Sequence, residues 1–318
     1  MTATPAPFPC ASLIREIGRG ARGARSLSRQ DAHDLYQAVL AGRVSDVELG
    51  AVLLSYRIKG ESADELAGML QAVHESLSPV GPPQGGPAVS IPSYNGARRQ
   101  PNLVPLLALL LARSGVQVLV HGVTADPGRV TSAEILAELG IAAADGAAAA
   151  EASLAAHGVA FMPTATLSPA LARQLSLRAV LGVRNSAHTL AKLLQPFRRP
   201  ALRLVNYTHP PYRDTLAELF LQPDAAGPAG VLLARGTEGE AVADAAVPRR
   251  IEWLRGGQAC VVVEAQPRGE RGDPALPPSR EAAPTAEWIR EALAGRAPVP
   301  QAILDQVRAI RHALEQSG

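Results

Sequence analysis

The chain has 318 residues, of which 47% are hydrophobic and 19% charged, with a formal net charge of +2. This composition supports a sizeable core and excludes wholesale disorder, and the length suits two domains or one large α/β domain with an appendage. Two distant cysteines, Cys10 and Cys260, exclude a disulfide framework or metal knuckle, and the apolar run 103–112 is too short to cross a bilayer. The N-terminus lacks a basic flank followed by an apolar stretch, so no signal peptide is expected and the expected location is cytoplasmic, with no membrane partner.

The first part of the chain reads as short helices. Ser28-x-x-Asp31, Ser45-x-x-Glu48 and Ser62-x-x-Glu65 mark three successive starts, because each hydroxyl can accept from a free N–H of the first turn. Leu35, Val39, Leu40, Val47, Leu53, Leu54, Leu66 and Leu70 supply the apolar faces of a small bundle, and Gly42 and Gly60 sit at expected stops. The proline- and glycine-rich stretch 78–87 breaks the pattern and reads as a hinge. Beyond it, short apolar runs at 89–91, 116–120, 202–205, 231–233 and 259–263 suit buried strands. Helical stretches at 103–112, 132–139 and 212–220 lie between them, which predicts a mainly parallel sheet. Residues 167–194 read as helical, 266–284 as a long mobile loop, and 286–294 and 301–316 as closing helices.

The most informative stretch is Val-Ser-Ile-Pro-Ser-Tyr-Asn-Gly-Ala-Arg-Arg-Gln-Pro-Asn at 89–102. A strand, a turn and a helix N-terminus form a place where α/β proteins hold pyrophosphate, since free N–H groups and the helix dipole converge there. Such loops are glycine-rich to let the backbone approach the phosphate. This one keeps only Gly96 and carries Tyr94, Arg98 and Arg99, which points to a larger polyanion. Two readings stand for Arg98 and Arg99: a grip on nucleic-acid phosphates with Tyr94 as stacking face, or an exposed turn with solvated arginines. Arg198 and Arg199, with Arg203 after them, form a second basic knot before a strand, and either a nucleic-acid groove or strand-end solubility accounts for it. Further knots are Arg249–Arg250 and the series Arg15 to Arg29. Asn102 suits a helix cap.

Residues 26–69, and above all Arg57-Ile-Lys-Gly-Glu-Ser-Ala-Asp-Glu-Leu-Ala-Gly68, resemble the N-terminal helical segment of anthranilate phosphoribosyltransferases and the related pyrimidine nucleoside phosphorylases. The resemblance covers roughly residues 10–265 and is strongest to the YbiB-type branch, through the phrase 92–102. It implies the nucleoside phosphorylase/phosphoribosyltransferase fold: a small discontinuous helical bundle domain (1–80 with 167–195) and a larger, mainly parallel sheet domain (88–166 and 196–318). It implies a homodimer through the N-terminal helices.

The enzyme motifs of the family are eroded. Where active members carry Gly-Thr-Gly-Gly-Asp, only Gly96 fits, beside Asn95. Of Lys-His-Gly-Asn-Arg, His121 and Gly122 remain. The metal-binding Asp-Glu pair has become Glu238-Gly239-Glu240, split by glycine. The resemblance implies that Arg178 and Arg184 lie where the family carries its acceptor-site arginine. The expectation is therefore a vestigial phosphate or acceptor site (Asn95, Gly96, Asn102, His121, Gly122, Arg178, Arg184) with no catalytic residue, cofactor or metal. The function implied is sequence-independent binding of single-stranded DNA or RNA through Arg98, Arg99, Arg198, Arg199, Tyr94 and Arg203. The alternative is a phosphoribosyl- or glycosyltransferase of altered specificity, which would need Mg²⁺; a third is a scaffold whose remodelled cleft accepts a partner peptide.

Overall fold

The structure is a computed structural model, described here for residues 6–20, 22–81, 86–199, 201–269 and 274–317. In chain order the elements are α1 (Ala11–Ile17), α2 (Arg29–Leu40), α3 (Asp46–Lys59), α4 (Ala63–Glu75), β1 (Ala88–Ser93), α5 (Val104–Arg113), β2 (Gln117–Gly122), α6 (Ser132–Glu138), α7 (Ala147–His157) and β3 (Val159–Pro163). Then come α8 (Thr164–Leu167), α9 (Pro169–Ser176), α10 (Arg178–Leu181), α11 (Ala187–Leu190), β4 (Leu202–Tyr207), α12 (Pro210–Leu221), β5 (Val231–Arg235), β6 (Ile251–Arg255), β7 (Gln258–Val263), α13 (Ala282–Leu293) and α14 (Gln301–Glu315).

The chain divides into two compact units. One comprises residues 1–77 and 168–194, the other 78–167 and 195–318. Four residues of the expected hinge, 82–85, and four of the expected mobile loop, 270–273, lie outside the described residues.

The helical unit follows its capping chemistry. Ser45 and Ser62 form reciprocal capping boxes with Glu48 and Glu65, while Ser28 accepts from the Asp31 amide. The Glu65 carboxylate is fully buried, so it needs several partners: it takes the Leu27 amide at 2.8 Å, the Ser62 amide at 2.8 Å and Lys59 Nζ at 2.6 Å. Gly68 lets α4 press on α2, since a Cβ there would stand 2.1 Å from the Arg29 carbonyl oxygen. The stretch expected to be helical, 167–194, is built of short helices, with Gly182 ending α10 at φ +71°.

The sheet unit carries seven strands in the order β3-β2-β1-β4-β5-β6-β7. The first five run parallel; β6 and β7 are antiparallel to their neighbours. Helices α5, α6, α13 and α14 close its core around Val89, Ile91, Val118, Val120, Leu106 and Leu107, all fully buried. The order places β1 and β4 at the centre. Their carboxyl ends are therefore the deepest crevice a parallel sheet offers to a ligand.

Candidate functional site at the carboxyl ends of the parallel strands

The loop leaving β1 is drawn tightly inward. Gly122 ends β2 opposite Ser93, and a Cβ there would meet the Ser93 carbonyl oxygen at 1.8 Å. Only glycine lets the two strand ends approach so closely. Gly96 turns the loop at φ +69° beneath Val130, and Ala97 and Val130 exchange two backbone hydrogen bonds of 2.9 Å. Arg129 donates to the Gly96 carbonyl at 3.1 Å. Asn102, expected as the helix cap, lies one residue before the actual N-cap, Leu103, which has no side-chain cap; its Oδ1 accepts the Val104 amide at 3.1 Å.

A second loop closes over the first. Thr237 and Glu240 pair across Glu238 and Gly239, which both have positive φ (54° and 94°), as a two-residue hairpin turn of the I′ kind requires. Gly236 and Gly239 permit the approach, since Cβ atoms there would fall 2.4 Å from Asn206 Nδ2 and 2.2 Å from Asn95 Nδ2. The hairpin delivers two carboxylates to the β1 loop. Glu240, 1% exposed, accepts from the Asn95 amide at 2.9 Å, the Gly96 amide at 2.8 Å and the Ser93 hydroxyl. Glu238 accepts from the Arg98 and Arg99 amides. Ser132 and Asn102 complete the buried network, with Asn102 Nδ2 donating to Ser132 Oγ at 3.1 Å.

The structure sorts the arginines and aromatics selected from sequence. Arg98 and Arg99 are exposed, and their guanidinium groups have no partner among the described residues. Tyr94 is buried, so its ring offers no stacking face; the inward pull of the loop removes it. Arg203 is 3% exposed, donates to the Ala225 carbonyl and lies 4.9 Å from the Phe220 ring, which takes it out of reach of a nucleic acid. Burial pushes its pKa down to about 10. Arg198 and Arg199 are exposed but precede β4, whereas Arg98 and Arg99 follow the parallel β1. The two pairs thus occupy opposite ends of the sheet, separated by roughly 20 Å for a six-residue strand.

His121 is fully buried with neither ring nitrogen hydrogen-bonded, and desolvation lowers its pKa to about 4. It is a neutral core residue beneath the loop. In the helical unit, Arg178 and Arg184 flank His188, whose pKa falls to about 4, first through burial and then through those two cations.

Sequence reasoning missed a cluster at the carboxyl end of β4. Tyr207 is half-buried there, and the charges of Arg213, Arg235 and Arg249 all reach its phenol; burial and Glu252 outweigh them and raise its pKa. Arg235 ends β5 and Arg249 precedes the antiparallel β6, so both fall at the same sheet end as Arg98 and Arg99. Tyr212 in the first turn of α12 is 38% exposed. The Arg249–Arg250 knot was the sole sequence trace of this cluster.

Residues 11–77 match the helical bundle domain of a glycosyl transferase family. Over 297 residues the chain is 43% identical to the protein YbiB of Escherichia coli K12, covering 93% of this chain and 91% of that one. It is 33% identical to anthranilate phosphoribosyltransferase 2 of Ralstonia nicotianae over 185 residues, covering 58% of this chain and 53% of the relative. Among solved structures, anthranilate phosphoribosyltransferase from Thermus thermophilus superposes with a TM-score of 0.72 at 23% identity, covering 96% of this chain and 88% of that one. The Saccharomyces cerevisiae enzyme in complex with PRPP and Mg superposes with the same score at 13% identity, covering 96% and 89%; both are likenesses of fold.

Proposed function

The chain belongs to the anthranilate phosphoribosyltransferase-like family of glycosyl transferases, and we propose that this member binds single-stranded DNA or RNA instead of transferring a phosphoribosyl group. One observation carries the reading: the N–H groups of the β1 loop are engaged by Glu238 and Glu240, while the arginine side chains of that loop face solvent unpaired. Pyrophosphate chemistry needs those donors free and a metal to neutralise charge. The Mg²⁺ held by the yeast relative does not fit here, because both carboxylates of the eroded acidic pair already face hydrogen-bond donors. No group of three or more candidate metal-ligating side chains occurs among the described residues.

The interface supported best lies at the carboxyl ends of the strands. Arg98, Arg99, Arg235 and Arg249 supply phosphate contacts, and Tyr207 and Tyr212 supply the aromatic faces that Tyr94 cannot. Arg198 and Arg199 form a separate patch at the amino ends. Binding is driven by counterion release, with little sequence preference and stacking secondary. Self-association through the helical unit is supported by an exposed apolar stripe on α3: Val47 (85% exposed), Leu54 (42%) and Ile58 (70%), spaced seven and four residues apart on one helix face. Two copies would double the phosphate contacts and steepen the salt dependence.

Titration of a fluorescent single-stranded oligonucleotide at several salt concentrations tests the proposal. Binding that weakens steeply with salt supports it. Absence of binding at low salt removes it, and Mg²⁺-dependent pyrophosphate release with an aromatic amine or a nucleobase replaces it with the transferase reading.

A further inference from the structure

The geometry points to an anion cradle that the chain fills with its own side chains. We infer that Glu238 and Glu240 together stand in for a diphosphate at the β1 loop, and that removing them uncovers a site for inorganic pyrophosphate. Four backbone N–H groups of one loop, those of Asn95, Gly96, Arg98 and Arg99, converge on just these two carboxylates. Two anionic groups joined by a short tether and held by a run of backbone donors is the charge pattern of a diphosphate held by a nest of N–H groups. The Ser93 hydroxyl and the Asn102 amide add side-chain donors to Glu240 Oε2, the latter at 3.5 Å.

The occupant is built in by several independent features. The tight turn at Glu238 and Gly239, both with positive φ, holds both carboxylates against amides of the same loop. Asn206 Nδ2 fastens the hairpin by donating to the Gly239 carbonyl at 2.7 Å. Glu240 is buried, and an ionised carboxylate persists in such a place only with donors around it. The insertion of glycine between two acidic residues therefore has a physical consequence. Spaced by Gly239, the two carboxylates each cap N–H groups of the loop, which keeps its anion-binding shape with no external ligand.

The inference does not rest on nucleic-acid binding, and its test reads a different ligand. The full chain and a Glu238→Ala/Glu240→Ala variant are compared by thermal denaturation and calorimetric titration with inorganic pyrophosphate, without divalent metal. The variant is expected to melt below the wild type and to gain at least about 3 °C in millimolar pyrophosphate, whereas the wild type does not respond. Its affinity for pyrophosphate is expected to exceed the wild type's by roughly tenfold or more. A folded variant that ignores pyrophosphate overturns the inference, as does a wild type that binds it equally well. If the double variant does not fold, Glu238→Gln/Glu240→Gln carries the same pyrophosphate titration: it keeps the volume and removes both charges, so binding that the wild type lacks sustains the assignment, and a folded variant that ignores pyrophosphate overturns it.

Discussion

Acidification offers a quantitative check on how the retained His121 is used. Its pKa lies at about 4 in the folded chain, because burial leaves both ring nitrogens without partners, against about 6.5 when unfolded. The folded state therefore binds fewer protons than the unfolded state between those values, and stability falls as pH drops from about 6.5 through about 4. At about 1.4 kcal/mol per unit, His121 alone costs about 3 kcal/mol of stability by pH 4. Carboxylates titrate over the same range, so the test is a difference. Urea unfolding of the wild type and of His121→Leu is followed at intervals from pH 7.5 to 4. The wild type should lose about 3 kcal/mol more than the variant over that interval. Parallel pH profiles would refute the reasoning, since they would mean that His121 finds a proton partner or solvent in the folded state.

Other expectations follow from single contacts. Gly122→Ala forces a Cβ onto the Ser93 carbonyl, a backbone clash that no rotamer relieves, and should cost about 2–4 kcal/mol in urea unfolding. Arg203→Met should leave oligonucleotide affinity within about twofold of the wild type, because the guanidinium is enclosed by the protein; a larger loss would restore Arg203 to the interface. If the proposed self-association runs through the α3 stripe, Val47→Glu combined with Ile58→Glu should lower the sedimentation coefficient of the wild type to that of a monomer by placing charge there. An unchanged coefficient would remove the stripe from self-association.

Much of the fold was legible because its signals are local. Ser45 with Glu48 and Ser62 with Glu65 announce helix starts within four residues, and the observed boxes form there. Two strands escaped. Val159–Pro163 ends in proline directly after an alanine-rich helix, and Ile251–Arg255 carries Glu252, whose burial is offset by Arg213 from α12 at 2.5 Å. Val159–Met162 is in fact a fully buried apolar run, hidden by the alanine-rich helix it continues from, whereas Ile251–Arg255 is interrupted by charge. The loop, and the exposure of Arg98 and Arg99 on it, were legible. The filling of that loop was not, since Glu240 meets Gly96 across 144 residues of sequence and no local pattern encodes such a contact. Tyr94 failed for the same reason: Gly96, Gly122 and Val130 fold its segment inward, and exposure follows tertiary packing instead of residue type. Tyr207 became a candidate once the sheet order brought Arg235 and Arg249 beside it.

The central claim is that exposed arginines at the carboxyl end of the sheet hold nucleic-acid phosphates. The most direct measurement is the slope of log affinity against log salt for a single-stranded oligonucleotide, taken for the wild type and for Arg98→Ala/Arg99→Ala. Each phosphate contact on a single strand contributes about 0.7 to that slope, so the variant should bind more weakly with a slope shallower by about 1.4 per chain. An equal slope and equal affinity in the variant would contradict the account.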